Sequence, residues 1–242
     1  MNFKVLRRND GPRIHIPVAL IIDRSESTND IRADLNKCIY ELLEKMKHEE
    51  TFRKAVDLLV VFFDSDYECI LDFVPLDDVR PEDVSIVKSS GFTSTGRALL
   101  YVLERLDEKK IEWKKSAEKY YQPLVFLLTD GYPDAGYGAP RGVVEKINED
   151  YKMAASEIRQ REDDNKITFI SAGIEREDGV SADIKRLEEL THYKDRVFRL
   201  CKDTPTSGIE RIDDFFKLIY ESTNATFTHT PIDDVIGGIV NL

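Results

Sequence analysis

No cysteine pair in this chain is spaced to grip a metal. Cys38, Cys69 and Cys201 are the three cysteines, far apart and outside any CxxC, which excludes a zinc ribbon and a disulfide framework. Free, buried thiols in a reducing compartment are the expectation. The four histidines, His15, His48, His192 and His229, show no H-x₃-H spacing. No apolar run approaches the ~20 residues of a membrane helix. The first ten residues, Met1 to Asp10, lack the apolar core of a secretion signal. A cytoplasmic location and no membrane partner are therefore expected. Positive charge is also short: 35 Lys and Arg stand against 46 Asp and Glu, for a net charge of −11. That argues against a nucleic-acid partner, which needs a basic surface. No G-x-G-x-x-G follows the first apolar run, and the acids there would repel a pyrophosphate. No nucleophile–base pair is visible, so no enzyme activity is expected.

What the chain does have is a set of apolar runs that end in acids. Ile16-Pro17-Val18-Ala19-Leu20-Ile21-Ile22 leads into Asp23-Arg24-Ser25-Glu26-Ser27. A short, continuous apolar run fits a strand buried on both faces, as in parallel sheets. Residues 14–23 are read as this first strand, and Thr28-Asn29-Asp30 as the cap of a helix carrying Ile31, Leu35, Ile39, Leu42, Leu43 and Met46 on one face. Val56 to Phe63 is a second strand. Only Asp64-Ser65-Asp66 separates it from Tyr67 to Val74, a link too short for a parallel crossover, so the third strand is antiparallel. Residues 76–91 read as loop. A helix opens at Thr93 and continues as a charged, solvated extension, whose Trp113 is expected to pack in part on the body rather than to serve as a partner contact. A strand at Leu124 to Asp130, a helix over 141–161, a strand over 167–173, a short helix over 181–190, a strand over 197–200 and a helix over 212–219 follow.

Strands alternating with helices predict an α/β fold. It is a doubly wound, mostly parallel six-stranded sheet with one antiparallel edge strand. Residues 1–13 form a lead-in, 14–222 one domain, and 223–242 a C-terminal tail.

Three pieces converge on the C-terminal edge of that sheet, where open α/β sheets bind ligands. They are Asp23-x-Ser25-x-Ser27, Thr93 within Gly91-Phe92-Thr93-Ser94-Thr95-Gly96-Arg97-Ala98-Leu99, and Asp130 within Leu127-Leu128-Thr129-Asp130-Gly131. All are oxygen donors, which suit a hard cation. Together and in this order they resemble the metal-ion-dependent adhesion site of von Willebrand factor A (vWA) domains, over Ile14 to about Glu221. The Ile-Pro-Val-Ala-Leu-Ile-Ile-Asp start and the T-D-G-x-P-D segment are similar to those of stand-alone bacterial vWA proteins of the tellurite-resistance-associated, TerY-like type. Glu26 departs from the glycine usual between the two serines.

The resemblance implies a Rossmann-like vWA fold and a bound Mg²⁺ or Mn²⁺. It implies Ser25, Ser27 and Thr93 as direct ligands, with Asp23 and Asp130 behind them. Asp134 orients the loop or starts a turn, and Thr95 caps the helix. The implied function is a protein–protein interaction module that takes a partner's Asp or Glu at the metal, in a stress response of the tellurite-resistance type. Two alternatives stand beside it. One is a Mg²⁺-dependent phosphotransferase of the haloacid-dehalogenase type, which needs a second Asp where Ser25 stands. The other is a metal-free vWA scaffold. Neither the partner's identity nor the oligomeric state is legible.

Overall fold

The computed structural model describes residues 13–88, 91, 93–130, 139–175, 183–201 and 211–240. Residues 1–12, Gly131 and Asp134 lie outside the described residues. Strand β1 (Ile14–Asp23) is buried along its whole length after Ile14. Its even-numbered residues Ile16, Val18, Leu20 and Ile22 face one core, and Ala19 and Ile21 face the other. The alternation of strand side chains thus explains why an unbroken apolar run was required.

β1 lies in the middle of the sheet. It pairs in parallel with β2 (Val56–Phe63) on one side and with β5 (Leu124–Thr129) on the other. β3 (Tyr67–Pro75) forms the antiparallel edge, with irregular register against β2, and such bulges blunt an exposed edge. β6 (Thr168–Ile174) and β7 (Val197–Leu200) extend the parallel sheet, giving the order β3-β2-β1-β5-β6-β7. The six expected strands are present. A seventh, β4 (Lys119–Tyr120), pairs with Ile14 and His15 only. Pro17, which has no N–H, falls between the β4 and β5 pairings, where β1 has no partner on that side.

Helices α1 (Arg32–His48), α2 (Glu50–Ala55), α6 (Ile212–Thr228) and α7 (Ile232–Val240) cover the first face. α3 (Thr95–Lys115) and α4 (Arg141–Asp163) cover the second, with α5 (Ile184–Glu188) contributing Leu187. Among the described residues no helix is long and apolar enough to cross a membrane.

Several expectations are corrected. The segment after Ser25 makes a 3₁₀ turn, Glu26–Thr28, and α1 begins only at Arg32, with no side-chain cap. Thr28 Oγ1 instead donates to the Ser25 carbonyl at 2.8 Å. The loop over 76–91 contains two 3₁₀ turns, Leu76–Asp78 and Pro81–Asp83, that bury Leu76 and Pro81. The charged extension of α3 is not solvated throughout. Trp113 is buried and stacks on His15 with centroids 4.6 Å apart, because the far end of α3 reaches the β1–β4 corner. α6 runs past Ile219 to Thr228, and its Thr223, Thr226 and Thr228 hydroxyls return to carbonyls three or four residues earlier. α7 then places Ile236 in the core. The three cysteines are half-buried rather than buried.

Candidate metal centre

The chain leaves β1 toward β2 on one side and returns to β5 on the other. The strand order therefore reverses between β1 and β5, and the ends of these two strands form the crevice where ligands bind in such sheets. Asp23 is the last residue of β1, and Asp130 follows the last residue of β5. Both side chains are buried.

Asp23 is the hub. Its Oδ1 accepts the Ser25 N–H at 2.8 Å, and its Oδ2 accepts the Thr129 hydroxyl at 2.6 Å. The first contact bends the chain directly after the strand. The second ties β1 to β5 across the switch point. Burial, and next the charge of Asp130, push the Asp23 carboxyl from 3.8 up to about 7, against the hydrogen bonds from Ser25 and Thr129 that favour its charged form. Two buried acids thus share this edge of the sheet.

Ser25 Oγ and Ser27 Oγ lie 3.1 Å apart. Neighbouring oxygens of an octahedral Mg²⁺ shell, with bonds of about 2.1 Å, are about 3.0 Å apart. The pair therefore spans one edge of such a shell without rearrangement. Ser25 is buried and Ser27 is half-buried, so the edge faces the rim of the domain.

Thr93 arrives by a separate route. The Glu26 N–H meets the Gly91 carbonyl at 3.4 Å, which brings the loop before Thr93 against the Ser25–Ser27 turn. Gly91 has φ +75, and a Cβ there would fall 2.3 Å from Ser65 Oγ, so only glycine is free of strain at this crossing. After Thr93, the Ser94 N–H donates to the Asp64 carbonyl at 2.8 Å and its Oγ to the Ser65 carbonyl at 3.1 Å. Thr95 does not cap α3. It is the first residue of the helix, and its buried Oγ1 has no hydrogen-bond partner among the described residues.

Thr129 and Arg24 hold the site together although neither was singled out in the sequence for this. The Arg24 guanidinium reaches Asp64 at 3.0 Å and also pairs with Glu68, clamping the β1 end to the β2–β3 link. Thr129 was visible as the hydroxyl of the T-D-G segment. Arg24 gave no signal, because its partners lie some 40 residues away. Glu26 is exposed on the rim.

Among the described residues, no group of three or more His, Cys, Asp or Glu side chains is placed to hold a metal. The arrangement here is of a different kind: neutral hydroxyls in front and aspartates behind. Its donor set and its oxygen spacing fit a small hard cation.

Comparison with known proteins gives the fold a relationship. No curated protein matches the chain significantly. Among solved structures, the pilus adhesin SpaC from Lactobacillus rhamnosus GG aligns with TM-score 0.59 at 12% identity, over 93% of this chain and 31% of that one. A mutant PilB minor pilin from Streptococcus sanguinis gives 0.57 at 12% identity, over 93% and 65%. Proximal thread matrix protein 1 from the mussel byssus gives 0.51 at 14%, over 90% and 46%. The chain thus spans less than half the length of the matrix protein and of SpaC. At these identities the likeness is one of fold. The von Willebrand factor type A domain family model matches residues 18–211. Domains of that family are known as metal-dependent protein-interaction modules and are generally not enzymes. With four-fifths of its length matched, the chain belongs to the von Willebrand factor type A domain family.

Proposed function

We propose that this chain is a divalent-cation-dependent protein-binding module whose partner presents an Asp or Glu at the β1–β5 edge. The observation that carries the reading is the Ser25–Ser27 hydroxyl pair, 3.1 Å apart, in front of the buried Asp23. Ser25, Ser27 and Thr93 would hold Mg²⁺ or Mn²⁺ directly, and Asp23 and Asp130 would stand behind them. When bound, the ion supplies a Lewis-acidic position for a carboxylate from outside. The chain's own residues do the rest. Asp23 orients the turn through the Ser25 N–H and fixes the β5 end through Thr129. The neutral hydroxyls leave the cation's charge largely unquenched, and the exposed Glu26 repels acids that find no cation. Adhesion-related structural neighbours are in keeping with a binding role. The TerY-like motifs extend the reading to a bacterial stress response of the tellurite-resistance type, on sequence likeness alone.

The test is affinity capture from cell extract with wild type and Asp130→Ala, each in Mg²⁺ and in EDTA. Specific partners should appear only for wild type in Mg²⁺, since losing a charge-assisted, partly desolvated contact costs on the order of 2–5 kcal/mol. Equal recovery in all four conditions would replace this reading with a metal-free scaffold.

A further inference from the structure

At the opposite end of the sheet from the candidate metal centre, the last turn of α4, the start of β6, the turn before β7 and the start of α7 line a half-open cavity of about 170 Å³. That is close to the ~150 Å³ known to admit a benzene-sized molecule. Glu162 lines it and is only 2% exposed. The carboxylate is held by the Thr191 hydroxyl at 2.8 and 2.9 Å and by the His192 N–H at 3.3 Å. It makes no ion pair among the described residues. A carboxylate offers about four acceptor positions, so these two donors leave it half-used. Glu162 also sits in the last turn of a 23-residue helix, where the macrodipole is negative and disfavours an anion. Burial pushes its carboxyl up accordingly.

The rest of the lining compensates Glu162 only in part. Arg196 is the one cation of the lining among the described residues, and Asp233 pairs with it, with Nε at 3.0 Å and Nη2 at 2.8 Å. Arg196 partly offsets the Glu162 charge but is shared with Asp233, so one cation serves two carboxylates here. Gln122 spends its Nε2 on the Ile167 carbonyl at 2.7 Å, which leaves its Oε1 as an acceptor. Asn165 and Thr168 add polar groups to the lining, and Ile167 and Ile232 add apolar wall.

We infer that this cavity is a binding site for a small primary amine in its ammonium form, with Glu162 as counter-ion. An ammonium brings three donors and one positive charge. The lining offers the Glu162 carboxylate and the Gln122 amide oxygen as acceptors, with the two isoleucines for a short alkyl chain. A bare divalent ion is a poor match, because a single carboxylate and a cavity of this volume cannot form its oxygen shell. This site is independent of the metal centre.

The experiment is NMR titration of the full chain with n-propylammonium at neutral pH, with n-propanol as the neutral isostere. Titration to roughly 10 mM covers a Kd near 1 mM. The amine should shift the amide resonances of Thr191, His192 and Gln122, and the alcohol should not. Glu162→Gln keeps the shape and the Thr191 contact and removes the charge. It should fold, and should bind the amine about 10- to 100-fold more weakly, the loss of a charged hydrogen bond. Asp130→Ala, at the other end of the sheet, should bind the amine as wild type does. The proposal is overturned by equal shifts with alcohol and amine, by undiminished amine binding in Glu162→Gln, or by no shift in wild type. If Glu162→Gln does not fold, the contrast between amine and alcohol in wild type still decides.

Discussion

Asp23→Ala should reduce Mg²⁺ or Mn²⁺ binding about 100-fold, to below detection by titration calorimetry, the upper range for residues that orient metal ligands. Two effects combine. The substitution removes the acceptor for the Ser25 N–H and the Thr129 hydroxyl, so the turn carrying both serines loses its anchor. It also removes negative charge from a buried position. Ser25→Ala should have a similar effect by deleting one hydroxyl of the 3.1 Å pair. Undiminished binding in both variants would move the centre elsewhere.

The same residue sets a pH dependence. Its carboxyl stands at about 7 in the folded, metal-free chain and near 3.8 when exposed. A raised carboxyl favours the folded state when protonated. Its contribution is full below pH ~3.8 and is lost as the pH rises through about 7. The metal-free domain should therefore lose on the order of a few kcal/mol of stability between pH 5 and 8 on account of Asp23. Asp23→Asn should flatten that slope. Cation affinity should run the other way and weaken below pH 7, because protonation removes the Asp23 charge that stands behind the hydroxyl ligands. Thermal unfolding at several pH values, with and without Mg²⁺, reads both trends. A wild-type slope identical to that of Asp23→Asn would sink the argument.

Gly96→Ala should destabilise the domain by about 3 kcal/mol or more. A Cβ at Gly96 would lie 2.3 Å from the Tyr151 backbone nitrogen and 2.5 Å from the Asp150 carbonyl carbon. Backbone cannot move aside as a flexible side chain can, so α3 and α4 would have to separate. For a chain of this size the melting temperature should fall by roughly 6–12 °C. The first turn of α3 follows Thr93 and is fixed through Ser94 to Asp64 and Ser65, so metal affinity should fall as well. Gly142 is the matched control. It lies in the exposed first turn of α4, with nothing within 4 Å of a built Cβ. Gly142→Ala should stabilise by about 0.5–1 kcal/mol through helix propensity. A Gly96→Ala melting temperature within about 2 °C of wild type would show that the helices have slack there.

Sequence alone determined the strands and their ends. Runs such as Val18–Ile22 and Leu124–Leu128 are apolar on both faces, and only a strand buried between two helix layers needs that. The three-residue link Asp64–Asp66 forced an antiparallel edge by length alone. The acids and hydroxyls after those runs were legible for the same reason: polar residues stand out against an apolar run. The helices were less legible. α2 and α7 are short, and Phe52 and Ile236 are buried only because other elements cover them. That Trp113 packs on the body was legible from its size, but nothing local shows that His15 lies beneath it. Tertiary structure also decided the electrostatics. Asp23 is raised by burial and by Asp130, more than a hundred residues away, and Glu162 has to share Arg196 with Asp233 because of where those three elements meet. Periodicity reports which face of an element is covered. It does not report which charges from distant elements share the space, and that is fixed only when the chain closes around them.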